Sequence, residues 1–81
     1  MDKVLYFSTE DCGPCKTLKP IVQEVASEMN INVEYLDAKT AEETKTFMVT
    51  GVPTLIIFKN GQPVKRHVGL ATKQQIQLLF K

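Results

Sequence analysis

The feature that most constrains the fold of this chain is an amphipathic segment that lies between two strand-like segments. Apolar residues recur there every three or four positions and form one stripe along a helix: Leu18, Ile21, Val22, Val25 and Met29. Pro14 suits the start of this helix, Asn30 closes it, and Pro20 should kink it rather than stop it. The flanking segments, residues 3–7 and Asn32–Asp37, have the apolar patterns of strands. Strands joined through a helix are parallel, so the sequence predicts a right-handed β-α-β unit.

Two capping-box patterns predict further helices in the chain. Thr40, with Glu43 three residues later, would open a short helix that ends near Gly51. Thr72, with Gln75 three residues later, would open a final helix. Three apolar residues of the final helix would face the core: Ile76, Leu79 and Phe80.

A hairpin is predicted between these two helices. Thr54–Lys59 is apolar enough for a central strand that is buried on both faces. Asn60 and Gly61 form a strong two-residue turn signal, which returns the chain as Gln62–Val68. Pro63 has no N–H to donate to a ladder, so the last strand is expected at an edge of the sheet.

These elements together predict an α/β fold with the order β-α-β-α-β-β-α. One mixed four-stranded sheet with helices on both faces accommodates every segment. No linker, repeat or low-complexity stretch interrupts the chain, so residues 1–81 are expected to form a single domain.

Composition and charge restrict the classes of function. The chain has 43% hydrophobic and 23% charged residues, as in ordinary globular proteins. Its uninterrupted apolar runs are far shorter than the roughly 20 residues of a membrane span, so no membrane partner is expected. All nine acids precede residue 44, but basic clusters with interleaved aromatic residues are missing, and no nucleic-acid partner is expected. Without a recognisable secretion signal, the protein is expected to be a cytoplasmic monomer.

The chemistry of the chain is expected at its two cysteines, Cys12 and Cys15, between the first strand and the first helix. A structural disulfide is disfavoured because so small a loop removes little entropy from the unfolded chain. A zinc site would need two further ligands, and the only histidine, His67, is expected on the surface, so no metal is predicted. A reversible dithiol and disulfide pair remains.

The position of the pair favours this redox chemistry. Cys12 would precede the helix N-terminus, where free N–H groups and the macrodipole stabilise a thiolate. Cys15 lies one turn further on and can attack a mixed disulfide formed on Cys12. Gly13 lets a bulky protein disulfide approach, and Pro14 stiffens the turn. A C-x-x-C motif in a β-α-β unit is typical of a redox site.

Three segments resemble thioredoxins in order and spacing: residues 7–16 (FSTEDCGPCK) with Pro20, residues 51–61 (GVPTLIIFKNG), and Val68 with Gly69. The resemblance implies a thioredoxin-like fold without the usual first strand and helix of the family. In lacking these two elements, the chain is similar to shortened thioredoxins and glutaredoxins.

The resemblance also implies roles for individual residues. Cys12 would be the nucleophile and Cys15 the resolving thiol of a redox-active disulfide. Pro53 would follow a cis peptide bond and face that disulfide. Val52 would offer its backbone to a substrate strand, and Gly69 would keep the groove open.

The sequence departs from the family at three positions near the predicted site. Asp11 stands where thioredoxins usually place tryptophan, and Tyr6 and Tyr35 stand where they place a buried aspartate and a lysine. A phenol with a pKa of about 10 accepts no proton at neutral pH, so both tyrosines are expected to fill the core with hydrogen-bonded hydroxyls. Met29 and Met48 are also expected in the core.

The predicted function is thiol-disulfide oxidoreduction. The chain would reduce disulfides in client proteins and carry electrons from NADPH through a flavin-containing thioredoxin reductase, without a bound cofactor of its own. The alternative is a glutaredoxin-like protein recharged by glutathione, although residues 68–72 lack the paired glycines and the acid that glutaredoxins use to bind it. A binding module with incidental cysteines is the alternative outside this class.

Overall fold

The computed structural model describes residues 2–81 and has seven elements. In chain order they are β1 (Lys3–Ser8), α1 (Gly13–Met29), β2 (Asn32–Asp37), α2 (Glu43–Thr46), β3 (Thr54–Lys59), β4 (Gln62–Val68) and α3 (Lys73–Leu79). This order confirms the predicted β-α-β-α-β-β-α arrangement.

The four strands form one mixed sheet with the spatial order β2-β1-β3-β4. β1 runs parallel to β2 and antiparallel to β3, and β3 runs antiparallel to β4. In this register Ser8 pairs with Asp37, and Phe7 pairs with Thr54. One end of the sheet is therefore formed by the last residues of β1 and β2 and the first residues of β3. The chain leaves β1 for the two cysteines at this end.

The hairpin between β3 and β4 forms as predicted. Asn60 and Gly61 have positive φ angles of 54° and 81°, which is the geometry of a type I′ turn. The register shifts between Ile57 and Phe58, and Pro63 pairs with Phe58 beside this irregularity. β4 is an outer strand, so the proline is tolerated there.

The sheet separates two apolar layers, which confirms that helices cover both faces. The larger layer joins β1 and β3 to α1 and α3, and its fully buried members include Val4, Leu18, Leu55 and Ile76. The smaller layer packs against the α2 region and consists of Leu5, Phe7, Ile56 and Phe58 with partly buried neighbours such as Phe47. The central strands contribute side chains to both layers, which explains their nearly continuous apolar sequences.

α1 begins and ends as its sequence predicts. Pro14 occupies its first turn, and the helix continues through Pro20. Asn30 adopts the left-handed conformation at φ 58°, and the next amide, of Ile31, donates to the carbonyl of Ala26 at 2.8 Å. This bond across the helix end is the Schellman arrangement, which satisfies a carbonyl that would otherwise lack a partner. The capping box of α3 also forms, with Thr72 and Gln75 bonding each other in both directions.

The predicted capping box of α2 is wrong. The helix spans Glu43–Thr46, so it begins later than predicted from Thr40 and ends well before the predicted end near Gly51. Asp37 organises the preceding turn instead, because its carboxylate accepts from the Lys39 amide at 2.9 Å and its carbonyl accepts from the Ala41 amide at 2.9 Å. This turn after β2 uses the backbone groups that would have opened an earlier helix.

Met48 lies two residues after the end of α2. The prediction that it fills the core is wrong. The residue has a positive φ of 53°, and the following amide, of Val49, donates to the carbonyl of Thr44 at 2.8 Å. The left-handed backbone directs the Met48 side chain away from the protein, and it is 78% exposed. Met29, in contrast, packs against the larger apolar layer.

Among residues 2–81, no helix has both the length and the apolar character that crossing a membrane would require.

Candidate active site

The two cysteines lie at the N-terminus of α1 and are joined as a disulfide. Cys12 is the N-cap residue, with extended backbone angles, and the Cys15 amide donates to its Sγ at 3.1 Å. The sulfur of Cys12 thus takes the place of the oxygen that normally caps a helix. A negative charge on this sulfur would lie where the free N–H groups and the helix macrodipole are most favourable to it.

The two sulfur-bearing residues differ in access. Cys12 is 9% exposed and lies at the outer end of the helix, whereas Cys15 is 3% exposed. A hypothetical Cβ on Gly13 would meet no atom within 4 Å, so the residue between them faces open space. Pro14 is also exposed. A large molecule can therefore approach this turn from the Cys12 side.

Tyr6 lies beneath the helix start and contacts it directly. Its hydroxyl donates to the carbonyl oxygen of Cys15 at 2.6 Å, and its side chain is fully buried. Burial, with a smaller contribution from neighbouring Tyr35, raises the pKa of Tyr6 to about 12. The phenol stays protonated at neutral pH and acts as a donor, which confirms the expectation that Tyr6 is a core residue with a bonded hydroxyl.

Tyr35 has a different environment, and the prediction that it fills the core is wrong. It lies on outer strand β2 and is 39% exposed. Its ring centroid lies 5.5 Å from that of Tyr6, and Lys19 Nζ lies 5.0 Å from the Tyr35 centroid. Partial burial raises the pKa of Tyr35. Tyr35 and Lys19 line an open cleft of about 340 Å³ together with Cys15 and Lys16.

The segment before β3 lies at the same end of the sheet as the end of β1, because Phe7 pairs with Thr54. The Val52–Pro53 peptide bond is cis, as the resemblance implies. The Pro53 carbonyl accepts from the Gly69 amide at 2.9 Å, and Thr54 Oγ1 donates to the Gly51 carbonyl at 2.6 Å. Gly69 has a φ of 96°, a conformation that side chains disfavour, and open space lies where its Cβ would be. These bonds fix the backbone that precedes β3.

A charged pair lies at the rim beside Cys12. Asp11 Oδ1 lies 3.6 Å from Lys39 Nζ, and the two side chains are 72% and 58% exposed. Hydrogen bonding to Thr9 and to the backbone, together with the Lys39 charge, lowers the pKa of Asp11. Lys39 and Thr9 also line a cavity of about 220 Å³ with Val52. The pair therefore connects the turn before Cys12 with the Val52 side of the site.

The family of the chain follows from comparison with known proteins. A family model described as Thioredoxin matches residues 1–81. The chain belongs to the thioredoxin family. This confirms the resemblance that the sequence motifs indicated.

Individual thioredoxins show the extent of the likeness. The chain is 49% identical to the thioredoxin of Mycobacterium tuberculosis over 65 residues, which cover 76% of this chain and 56% of that protein. It is 35% identical to the thioredoxin of Staphylococcus haemolyticus over 77 residues, covering 91% and 74% of the two chains. A solved structure of a mutant thioredoxin from Halobacterium salinarum superposes with a TM-score of 0.91 at 30% identity, over 98% of this chain and 71% of that chain. The thioredoxin-like fold is thereby confirmed.

Lys39, which pairs with Asp11 beside Cys12, is a residue that sequence reasoning missed. The sequence contained a partial signal, because β1 and β2 were predicted to be parallel, so the residues that follow both strands had to lie at the same edge of the sheet. Lys39 follows β2 by two residues, and Asp11 follows β1 by three.

His67, expected on the surface, is half-buried, with Nε2 3.2 Å from the Leu70 carbonyl oxygen.

Proposed function

We propose that this chain is a thiol-disulfide oxidoreductase that reduces disulfides in client proteins through Cys12 and Cys15. The observation that carries the proposal is the disulfide at the start of α1, where the Cys12 sulfur also accepts the Cys15 amide. Membership of the thioredoxin family supports it. The chain spans 56% of the length of the Mycobacterium tuberculosis thioredoxin.

The first step is attack by the reduced site on a client disulfide. The Cys12 thiolate, favoured by the helix N-terminus, forms a bond to one client sulfur. The client S–S bond breaks, and its second sulfur leaves as a thiolate that takes a proton from water. The greater exposure of Cys12 supports its assignment as the attacking residue.

The second step releases the client. Cys15 loses its proton and attacks Cys12 Sγ, which breaks the mixed disulfide and frees the second client thiol. Two electrons have then passed to the client, and the Cys12–Cys15 disulfide is the oxidised product. Tyr6 cannot accept the Cys15 proton, because its phenol is already protonated and its pKa is raised to about 12. The proton therefore leaves to water or to the departing client thiolate.

The client would bind along the surface beside the disulfide. The fixed backbone of Val52 can pair with an extended client segment, as in other complexes in which a peptide adds to exposed backbone. Gly13, Pro14 and Gly69 leave the approach open, since no side chain fills the space in front of either glycine. Pro53 would complete this substrate-binding surface from the side opposite α1.

Recharging would use an NADPH-dependent thioredoxin reductase, and the chain would need no bound cofactor. In this role the protein is an electron carrier of cell redox homeostasis. It would act in the cytoplasm as a monomeric single domain. Glutathione is the alternative reductant, but residues 68–72 lack the paired glycines and the acid expected of a glutathione site.

A client trap tests the assigned roles. Cys15→Ser should accumulate clients as mixed disulfides on Cys12, because the resolving thiol is gone. Cys12→Ser is the matched control and should trap almost none, because Cys15 is less exposed than Cys12, at 3% against 9%. Non-reducing gels followed by mass spectrometry identify the adducts. Equal trapping by both variants would contradict the roles, and full function of Cys12→Ser would favour a binding module.

Turnover of a disulfide-bonded test protein distinguishes the two reductants. NADPH with thioredoxin reductase should sustain it, whereas glutathione with its own reductase should not. The reverse result would favour the glutaredoxin-like alternative.

A further inference from the structure

The turn before Cys12 places a negative charge beside a sulfur that must become a thiolate. Asp11 directly precedes Cys12, and its lowered pKa keeps the carboxylate charged at neutral pH. A neighbouring negative charge disfavours a thiolate and so opposes the effect of the helix N-terminus. A positive charge close to this carboxylate would therefore favour the thiolate.

Lys39 supplies such a charge and is held in place from two sides. Its ammonium lies 3.6 Å from the Asp11 carboxylate. Its backbone amide donates to Asp37 Oδ1 at 2.9 Å, and the preceding Ala38 amide donates to the Ser8 carbonyl at 2.8 Å. The loop that carries Lys39 is thus tied to the end of β1, from which the chain continues to Asp11.

Other charged groups also lie at this end of the sheet. Glu10 and Lys16 are exposed, and neither forms an ion pair within residues 2–81. The carboxylate of Asp37 bonds the Lys39 amide, and the ring of His67 lies against a backbone carbonyl. Residues 49–53, on the other side of the site, carry no charged side chain.

We infer that Lys39 is a positioning residue for Cys12: fixed by Asp11, its ammonium offsets the carboxylate beside Cys12 and keeps that sulfur available as a thiolate at neutral pH. The inference deepens the proposed function and rests on it. Lys39 acts through Asp11, because the ion pair determines where its charge stands. Within residues 2–81, Asp11 is the one ion-pair partner of the exposed Lys39 side chain.

The expected effect is modest because both side chains are exposed to water. Removal of one unit charge at about 7–10 Å in water changes a thiolate population by about two- to threefold. Lys39→Gln leaves Asp11 uncompensated and should raise the Cys12 pKa. Asp11→Asn should lower it and should also release Lys39, so Lys39→Gln should have a smaller effect in that background.

The test measures the pH profile of Cys12 alkylation by iodoacetamide at low salt. All variants carry Cys15→Ser, so Cys12 is the only thiol in the chain. The set comprises Lys39→Gln, Asp11→Asn, their combination, and Lys39→Arg, which keeps the charge. Lys3→Gln is the matched control, because it removes the same charge at the start of β1, the end opposite Ser8.

At pH values below the midpoint of the alkylation profile, we expect Lys39→Gln to slow alkylation of Cys12 by about two- to threefold. In the Asp11→Asn background the same substitution should slow alkylation by about half that factor or less. Lys39→Arg should keep the parent profile. The inference is overturned if Lys39→Gln has no larger effect than Lys3→Gln, or the same effect in both backgrounds. Alkylation of Cys12 requires no client, so its outcome is independent of client reduction. Failure to reduce client disulfides would overturn the proposed function without deciding whether Lys39 affects Cys12.

Discussion

The hydroxyl of Tyr6 donates a 2.6 Å hydrogen bond to the carbonyl oxygen of Cys15. Tyr6 lies in the middle of β1, and Cys15 lies in the first turn of α1. The bond therefore joins the centre of the sheet to the helix that carries both cysteines. The fully buried Tyr6 side chain thus attaches the first turn of α1, which carries Cys15, to the sheet.

Removal of this bond should destabilise the protein. Tyr6→Phe keeps the ring but leaves the Cys15 carbonyl without its buried donor, which should lower the free energy of unfolding by about 1–2 kcal/mol. Urea denaturation of the oxidised protein measures the change. Tyr35→Phe is the matched control and should cost less than about 0.5 kcal/mol, since Tyr35 is 39% exposed. Equal losses in both variants would show that the bond contributes nothing.

Stability should fall at alkaline pH because of Tyr6. Its pKa rises from 10.0 to about 12 in the folded state, so the folded protein holds this proton more tightly than the unfolded chain. The contribution is complete below pH 10 and is lost as pH rises towards 12; two pKa units correspond to about 2–3 kcal/mol. The difference in unfolding free energy between the parent and Tyr6→Phe should therefore shrink over this interval. A constant difference would contradict the assignment.

The larger apolar layer should tolerate truncation poorly. Leu18 is fully buried on α1, so Leu18→Ala should lower the free energy of unfolding by about 2–4 kcal/mol through lost transfer energy and a residual cavity. Leu78→Ala removes the same atoms from a residue that is 61% exposed and should cost about 0.5 kcal/mol or less. Similar costs for the two would mean that α1 does not pack as described.

Met48→Gly should stabilise the protein. Met48 has a φ of 53° at the end of α2, a conformation that costs a residue with a Cβ about 1–2 kcal/mol. Glycine adopts it freely, and after its greater loss of chain entropy the net gain should be about 0.5–1 kcal/mol. Met48→Ala, which keeps the Cβ, is the control and should give no gain. Thermal unfolding compares the two, and equal midpoints would refute the prediction.

The sequence predicted best those elements whose signals are local. Asn60 and Gly61 each need a positive φ, and almost no other pair of residues supplies it so readily. Thr72 and Gln75 form their capping box, with both reciprocal hydrogen bonds present. Thr40 and Glu43 have the same pattern, but Asp37 takes the amides that precede Glu43, and the helix begins later.

Predictions about side-chain exposure failed where strand position or backbone handedness decided it. Tyr35 is an aromatic residue of the kind found in cores, but it lies on an outer strand, is 39% exposed and lines the cleft. Met48 points outward because its backbone is left-handed. The contact between Asp11 and Lys39 joins residues far apart in the chain, and only the three-dimensional arrangement of the loops gives their distance.

The sulfur that caps α1 is also the sulfur that the proposed function would oxidise and reduce. In the disulfide, the Cys15 amide donates to Cys12 Sγ at 3.1 Å. After reduction the acceptor is a thiolate, and hydrogen bonds to charged acceptors are shorter and stronger. The first turn of α1 should therefore tighten when the protein receives electrons and loosen when it passes them on. The rate of hydrogen exchange at the Cys15 amide should therefore report the fraction of the protein that is reduced.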